Sequence, residues 1–303
     1  MGVLLTLSWM ACGTASLALA QKAATAVPGS EGAVRIYVTV HDEHGREIAD
    51  LKQEDFRIKE DGAEQTISSF SRGLSGPLTL GLLIDISGSR RAQLPGAEAK
   101  PAIDLLGSVL RPGDMGFVGA IGDKPYVTIG LSGERGELEN AIRRTVKVNP
   151  HGSTALADTV AWACHTLERA AGRRVLVIVS DGDDNSSHIK LGQAVEMAQR
   201  GGVAIWFVDL AIEKSSSHKE LKEGKKTAEW LSGETGGEPL FVKNAKDLEP
   251  AFIAIGADLR NPYVITYDPT DNARDGRFRT IKVEIARKHV KVSAPAGYFV
   301  RAD

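Results

Sequence analysis

Asp85-Ile86-Ser87-Gly88-Ser89 sets two hydroxyls two residues apart, with a carboxylate two residues before the first. The segment follows an apolar run, Leu78 to Ile84, that reads as a buried strand. A loop leaving the end of a strand can aim all three side chains at one point. An oxygen-only donor set of this kind suits a hard divalent cation. Two distant segments carry matching chemistry. Gly152-Ser153-Thr154 opens a helix-like segment, and Ser180-Asp181-Gly182 closes a second apolar run, Val175 to Val179. Thr154 also reads as a helix N-cap or first-turn residue, a role compatible with metal ligation. Taken alone, the pentapeptide is equally a polar turn after a strand, because Ser and Asp are common loop residues. The set gains weight because every member falls at an expected strand end or helix start.

The elements that must position these residues follow from hydrophobic periodicity. From Leu78 onward, strand-like runs (Leu78 to Ile84, Met115 to Ile121, Tyr126 to Ile129, Val175 to Val179, Val203 to Leu210, Pro239 to Val242) alternate with helix-like ones. The latter are Ala97 to Leu110, Glu134 to Val146, Ala155 to Ala170, Lys190 to Arg200, Ser217 to Ser232 and Asp247 to Arg260. This alternation predicts an α/β unit with a Rossmann-like, mostly parallel sheet and helices on both faces. In such sheets ligands bind beyond the carboxyl ends of the strands, where Asp85 and Asp181 stand. The flanks are β-rich: Val34 to Val40, Phe56 to Ile58 and Gln65 to Phe70 on one side, Tyr263 to Tyr267, Phe278 to Ile285 and Val290 to Val292 on the other. Neither flank has a convincing core by itself. The expected organisation is an α/β domain over 76–261 and a small discontinuous β domain built from 33–75 and 262–303.

The first residues differ from the rest. Val3 to Ala20 is almost uncharged and ends in Ala18-Leu19-Ala20, a small-x-small cleavage pattern. Residues 1–20 are therefore expected to be a signal peptide, and 21–32 a flexible lead-in. Export implies a secreted, periplasmic or cell-surface protein, with no membrane contact in the mature form unless the leader stays attached. A formal net charge of -2 with scattered lysines and arginines gives no basic surface for nucleic acid. Cys12 lies in the leader, which leaves Cys164 alone in the mature chain and excludes an internal disulfide. Within a helical pattern, Cys164 reads as a small buried apolar residue.

The ordered set Asp85, Ser87, Ser89, Thr154 and Asp181 resembles the metal-ion-dependent adhesion site of von Willebrand factor type A domains. Asp50 to Phe56, Glu60-Asp61-Gly62, Ile67 to Ser71, Leu80 to Ser89, Tyr263 to Tyr267, Asp275 to Arg279 and Ala296-Gly297-Tyr298-Phe299 look like a bacterial secreted group of VWFA-related proteins. The resemblance implies the type A fold and one ion, Mg²⁺ or alternatively Mn²⁺ or Ca²⁺. It implies Ser87, Ser89 and Thr154 as direct ligands, with Asp85 and Asp181 close by, partly through water. It also implies that the ion captures an acidic side chain of a partner protein. Arg90 departs from the family pattern. Beside the site, it would either damp the ion's attraction or grip an acidic ligand. Arg91 and Ala92 follow, so no adjacent second metal site is expected.

Asp181-Gly182-Asp183-Asp184-Asn185 invites a calcium-loop reading, but an EF-hand needs Gly at position six and Glu at twelve. Those positions hold Ser186 and Gly192. Asp183 remains an accessory candidate, as does His151, a loop histidine preceding Thr154. No nucleophile elbow, zinc-protease helix or phosphate loop occurs, so the chain is not expected to be an enzyme. Two rival readings stay open: a hydrolase activating water at the same ion, with His151 or Asp183 as base, and a scaffold with a vestigial metal site. His165 is expected on a helix surface, and Trp162, Trp206 and Trp230 in core or boundary positions.

Overall fold

The computed structural model describes residues 27–28, 32–89, 96–210 and 217–302. The expected leader, most of the lead-in and Arg90 lie outside the described residues. The N-terminal flank forms Val27–Pro28 (β1), Val34–Asp42 (β2), Phe56–Glu60 (β3), Ala63–Gln65 (β4) and Ile67–Arg72 (β5). The α/β unit follows as Leu78–Asp85 (β6), Ala99–Val109 (α1), Met115–Ile121 (β7), Pro125–Ser132 (β8), Arg135–Thr145 (α2), Leu156–Glu168 (α3) and Arg173–Ser180 (β9). It continues through Leu191–Gly201 (α4), Val203–Asp209 (β10), His218–Thr235 (α5), Pro239–Phe241 (β11) and Leu248–Arg260 (α6). Tyr263–Tyr267 (β12), Phe278–Ile285 (β13), Val290–Ser293 (β14) and Gly297–Phe299 (β15) complete the chain.

The central sheet runs β11-β10-β9-β6-β7-β8, parallel except for the edge strand β8, which returns antiparallel to β7. Period-2 alternation splits each buried strand between two cores. Leu80, Leu82 and Ile84 of β6, with Val175, Val177 and Val179 of β9, pack under α1, α2 and α6. Leu83, Leu176, Ile178 and Phe207 pack under α3, α4 and α5. Strands covered on both faces must be apolar throughout, as β6 and β9 nearly are. The chain leaves β6 toward β7 but leaves β9 toward β10, so connections diverge between β6 and β9. That divergence opens a crevice at the carboxyl ends of those two strands.

The flanking segments form two antiparallel sheets. One runs β1-β2-β12-β5 with β14 also on β2, and the other runs β15-β13-β3-β4. Each mixes strands from both ends of the chain, and a shared core joins them: Ile36 and Val38, Ile58, Ile265 and Tyr267, and Ile281. The α/β unit is thus inserted into a discontinuous β unit. Entry and exit run side by side, with Gly73 N–H donating to the Pro262 carbonyl and Leu74 N–H to the Arg260 carbonyl, both at 2.9 Å.

Three expectations need correction. Thr154 is not the N-cap of α3. Ala155 holds that position, and Thr154 precedes it. Trp230 is 42% exposed on α5 rather than packed in the core, whereas Trp206 is fully buried. The β8 run is longer than its apolar stretch, because the antiparallel ladder with β7 extends pairing over Pro125 and Ser132. Cys164 is buried, and its thiol is pushed up to about 12 by that burial. Among the described residues, no helix is long and apolar enough to cross a membrane.

Ile265 pairs with Ile36 on one side and Phe70 on the other, and is fully buried. Ile265→Ala is expected to destabilise the chain by about 2–5 kcal/mol, read as a lowered midpoint in denaturant unfolding. An unchanged midpoint would mean that the two flanks do not depend on their shared core.

Candidate metal centre

The parallel register sets Ile84 level with Val179, so Asp85 and Ser180 end adjacent strands at the same height. Asp85 is 3% exposed. Its Oδ1 accepts from the Ser87 backbone N–H at 2.8 Å, folding the chain into a tight turn directly after the strand. Its Oδ2 accepts from the Ser180 hydroxyl at 2.5 Å. Ser180 Oγ in turn accepts from Gly182 N–H at 3.1 Å, which fixes the start of the Asp181 loop. Beyond the turn, the Ser87 and Ser89 hydroxyls stand 3.1 Å apart. Ser87 is buried and Ser89 is exposed, so the pair leads from the interior to solvent.

Thr154 reaches the same edge through backbone stitching. Gly88 N–H donates to the Gly152 carbonyl, and His151 N–H to the Ile86 carbonyl, both at 3.0 Å. A Cβ on Gly88 would lie 2.9 Å from that Gly152 oxygen, so the close approach of the two loops requires glycine. On its other side, Thr154 N–H donates to Asn185 Oδ1 at 2.9 Å. The Thr154 carbonyl accepts from the Asn185 and Ser186 N–H groups at 3.0 Å. Three loops, 85–89, 150–155 and 180–187, are therefore sewn to one another at the crevice between β6 and β9.

The electrostatics of the edge are acidic. Burial, and then the Asp181 carboxylate, raise the Asp85 carboxyl to about 6, against the opposing bonds from Ser180 and Ser87. Burial and Asp181 also raise Asp183, whose Oδ2 accepts from the Asn185 side chain at 2.9 Å. Carboxylates held this close disfavour joint ionisation unless a cation lies among them. Hydroxyls, carboxylates and solvent-facing Ser89 make an all-oxygen donor set that fits a hard divalent ion rather than a soft one. His151 is exposed, and its Nδ1 lies 2.8 Å from the Asn149 carbonyl oxygen, an arrangement that needs no ligand.

Sequence reasoning passed over three supporting residues. Ser180 holds Asp85, and pairing the two apolar runs strand against strand would have set it opposite that carboxylate. Asn185 ties Thr154 to the third loop but looks, in the sequence, like one more polar turn residue. Gly224 lies inside α5, where glycine costs about 1 kcal/mol relative to alanine. A Cβ there would come within 2.1 Å of the Asp181 carbonyl oxygen. An unfavourable glycine inside a helix was the available signal of that contact.

No protein-family model matches the chain, and no curated protein matches it in sequence. Solved structures do resemble it. A von Willebrand factor type A protein from Catenulispora acidiphila superposes with a TM-score of 0.49 at 14% identity, over 82% of this chain and 73% of that one. Proximal thread matrix protein 1 from the mussel byssus gives 0.50 at 15% identity, over 64% of this chain and 49% of the other. The PilB minor pilin from Streptococcus sanguinis, as its D319A mutant, gives 0.47 at 13%, over 61% and 62%. This chain thus spans about half of the byssus protein and under two thirds of the pilin. The α/β unit, a mostly parallel sheet with helices on both faces, shares its fold with the byssus protein. At such identities the likeness concerns fold alone, and the chemistry of the α/β unit has to be argued from its own residues.

Ser180→Ala would leave Asp85 buried with one partner fewer. The expected cost is about 1–3 kcal/mol, measured by thermal or denaturant unfolding of the metal-free chain. No loss of stability would contradict the role assigned to Ser180.

Proposed function

We propose that this chain is a divalent-cation-dependent protein-binding module. Ser87, Ser89 and Thr154 supply hydroxyl ligands, and Asp85 and Asp181 act at short range, partly through water. One observation carries the reading: Ser87 and Ser89 lie together at the mouth of a crevice in which Asp85 and Asp181 are buried close enough to oppose each other's charge. Mg²⁺ is the favoured ion, because it accepts near-octahedral oxygen coordination and keeps several waters. Mn²⁺ and Ca²⁺ share the donor preference. With few charged direct ligands the ion stays under-neutralised, so a partner's carboxylate gains by replacing one of its waters. The partner class is accordingly a protein presenting an acidic side chain. The module is proposed to be a binder rather than an enzyme, since among the described residues no side chain at this edge is paired as nucleophile and base. The apolar leader over residues 1–20 supports export to the periplasm, the cell surface or the medium.

Calorimetric titration of the full chain with Mg²⁺ and with Mn²⁺ tests the reading. Binding of one equivalent is expected, weakened about 10–100-fold or more in Asp85→Ala. Unchanged affinity in that variant would remove the site from consideration.

A further inference from the structure

Far from this edge, the base of the α/β unit meets the β unit at a buried cluster of charge. His41 on β2, Glu238 just before β11 and Asp258 on α6 are each under 10% exposed, at 7%, 9% and 5%. They come from three elements distant in sequence. His41 Nδ1 lies 3.0 Å from Glu238 Oε1, and Nε2 lies 3.0 Å from Asp258 Oδ1. Both ring nitrogens are therefore engaged at once, each by a different carboxylate.

Three such ligands grouped together invite a metal assignment, but their geometry opposes it. A metal takes one imidazole nitrogen, and the carboxylates must converge on that same side of the ring. Here each ring nitrogen already faces its own carboxylate at 3.0 Å, so an ion, although one donor atom of each residue lies within 4.8 Å of the others, would have to displace one of those contacts. Glu238 is also occupied already. Its Oε1 accepts from the Ser293 hydroxyl at 2.6 Å and its Oε2 from Lys291 Nζ at 2.8 Å, both on β14. A neutral imidazole has one N–H and cannot donate to two carboxylates, whereas imidazolium donates from both nitrogens.

We propose that His41 is held as an imidazolium and acts as an ionic clasp fixing the β unit to the base of the α/β unit. The groups around the ring agree with this. Thr39 on β2 lies 3.5 Å from Glu238 Oε1, and Trp206 on β10 donates to Asp258 Oδ2 at 3.4 Å. Arg173, at the start of β9, carries its charge near Asp258 and stacks on Tyr37 and Trp206, at 4.7 and 5.3 Å from the ring centroids. Glu47, bridged to His41 through the backbone, turns its carboxylate to Arg72. Hydrogen bonds to Asp258 and then Glu238 raise the His41 ring from an ordinary 6.5 to about 10. Burial pushes the Glu238 carboxyl up, but the bonds from His41, Lys291 and Ser293 outweigh it and hold the group at about 2. Asp258 remains raised, because its burial exceeds the effect of its bond to His41. With Glu238 firmly ionised, the doubly engaged ring keeps its proton.

The folded value of His41 lies above its unfolded one. The stabilisation from its proton is therefore complete below about pH 6.5 and is lost as pH rises through about 10. The clasp is thus closed across neutral pH and opens in alkali.

Nuclear magnetic resonance of the full chain with ¹⁵N-labelled histidine tests the clasp directly. Both His41 ring nitrogens are expected to keep imidazolium shifts from about pH 6 to about pH 8.5. The melting temperature is expected to fall as pH rises toward about 10, more steeply than in His41→Gln, and to ignore Zn²⁺ and chelators. A His41 ring that titrates near 6.5 would overturn the proposal. So would a ring nitrogen that shifts on adding Zn²⁺, together with a melting temperature that chelators lower. The spectrum of the unmodified chain decides the matter even if the variant fails to fold.

Discussion

A carboxylate buried at the end of the central strand is the constraint on which the rest of the structure depends. Desolvating Asp85 is costly unless its oxygens are occupied, and nearby Asp181 adds repulsion. The fold answers with local donors: the Ser87 N–H from the turn just beyond the strand and the Ser180 hydroxyl from the neighbouring strand. The Ser180 donor requires that β6 and β9 run parallel, adjacent and in the observed register. The sheet order, with connections diverging at this pair of strands, satisfies that requirement and opens the crevice. The loop stitching through Gly88, Gly152, Thr154 and Asn185 then closes around the same point.

Much of this was legible in the sequence because the signals were local and redundant. Strand β6 reads as a continuous apolar run because both of its faces are covered, and β13 shows from Ile281 to Ile285 as alternating apolar and polar residues. The pairing of the two flanks was legible too, since neither has enough apolar surface to bury alone. What escaped depends on tertiary register. Ser180 matters only because it ends level with Asp85, and Gly224 only because α5 crosses the Asp181 backbone. Trp230 shows the reverse failure: a helical apolar pattern does not say which flank of the helix the core will cover. The N-cap at Ala155 rather than Thr154 reflects the same limit, because Thr154 is recruited by Asn185 instead of capping α3.

The two units solve different electrostatic problems at opposite ends of one sheet. At the carboxyl edge, buried acids stand near hydroxyls and an opening to solvent, an arrangement that favours an exchangeable cation. At the base, two acids are satisfied by a histidine and its neighbours from within the chain. Backbone pairing at Gly73 and Leu74, the stacking of Arg173 on Tyr37, and the His41 cluster together join the β unit to the α/β unit. A partner engaging the far edge would then meet a body with one fixed orientation rather than two tethered units.

The central claim, that oxygen donors of three loops form one cation site, is tested most directly by anomalous diffraction from crystals of the full chain grown with Mn²⁺. The account predicts one strong peak at about 2.0–2.3 Å from the Ser87 and Ser89 hydroxyls, with Thr154 in its coordination sphere and Asp85 and Asp181 in or just beyond it. A peak elsewhere, or none at this edge under saturating Mn²⁺, would contradict it.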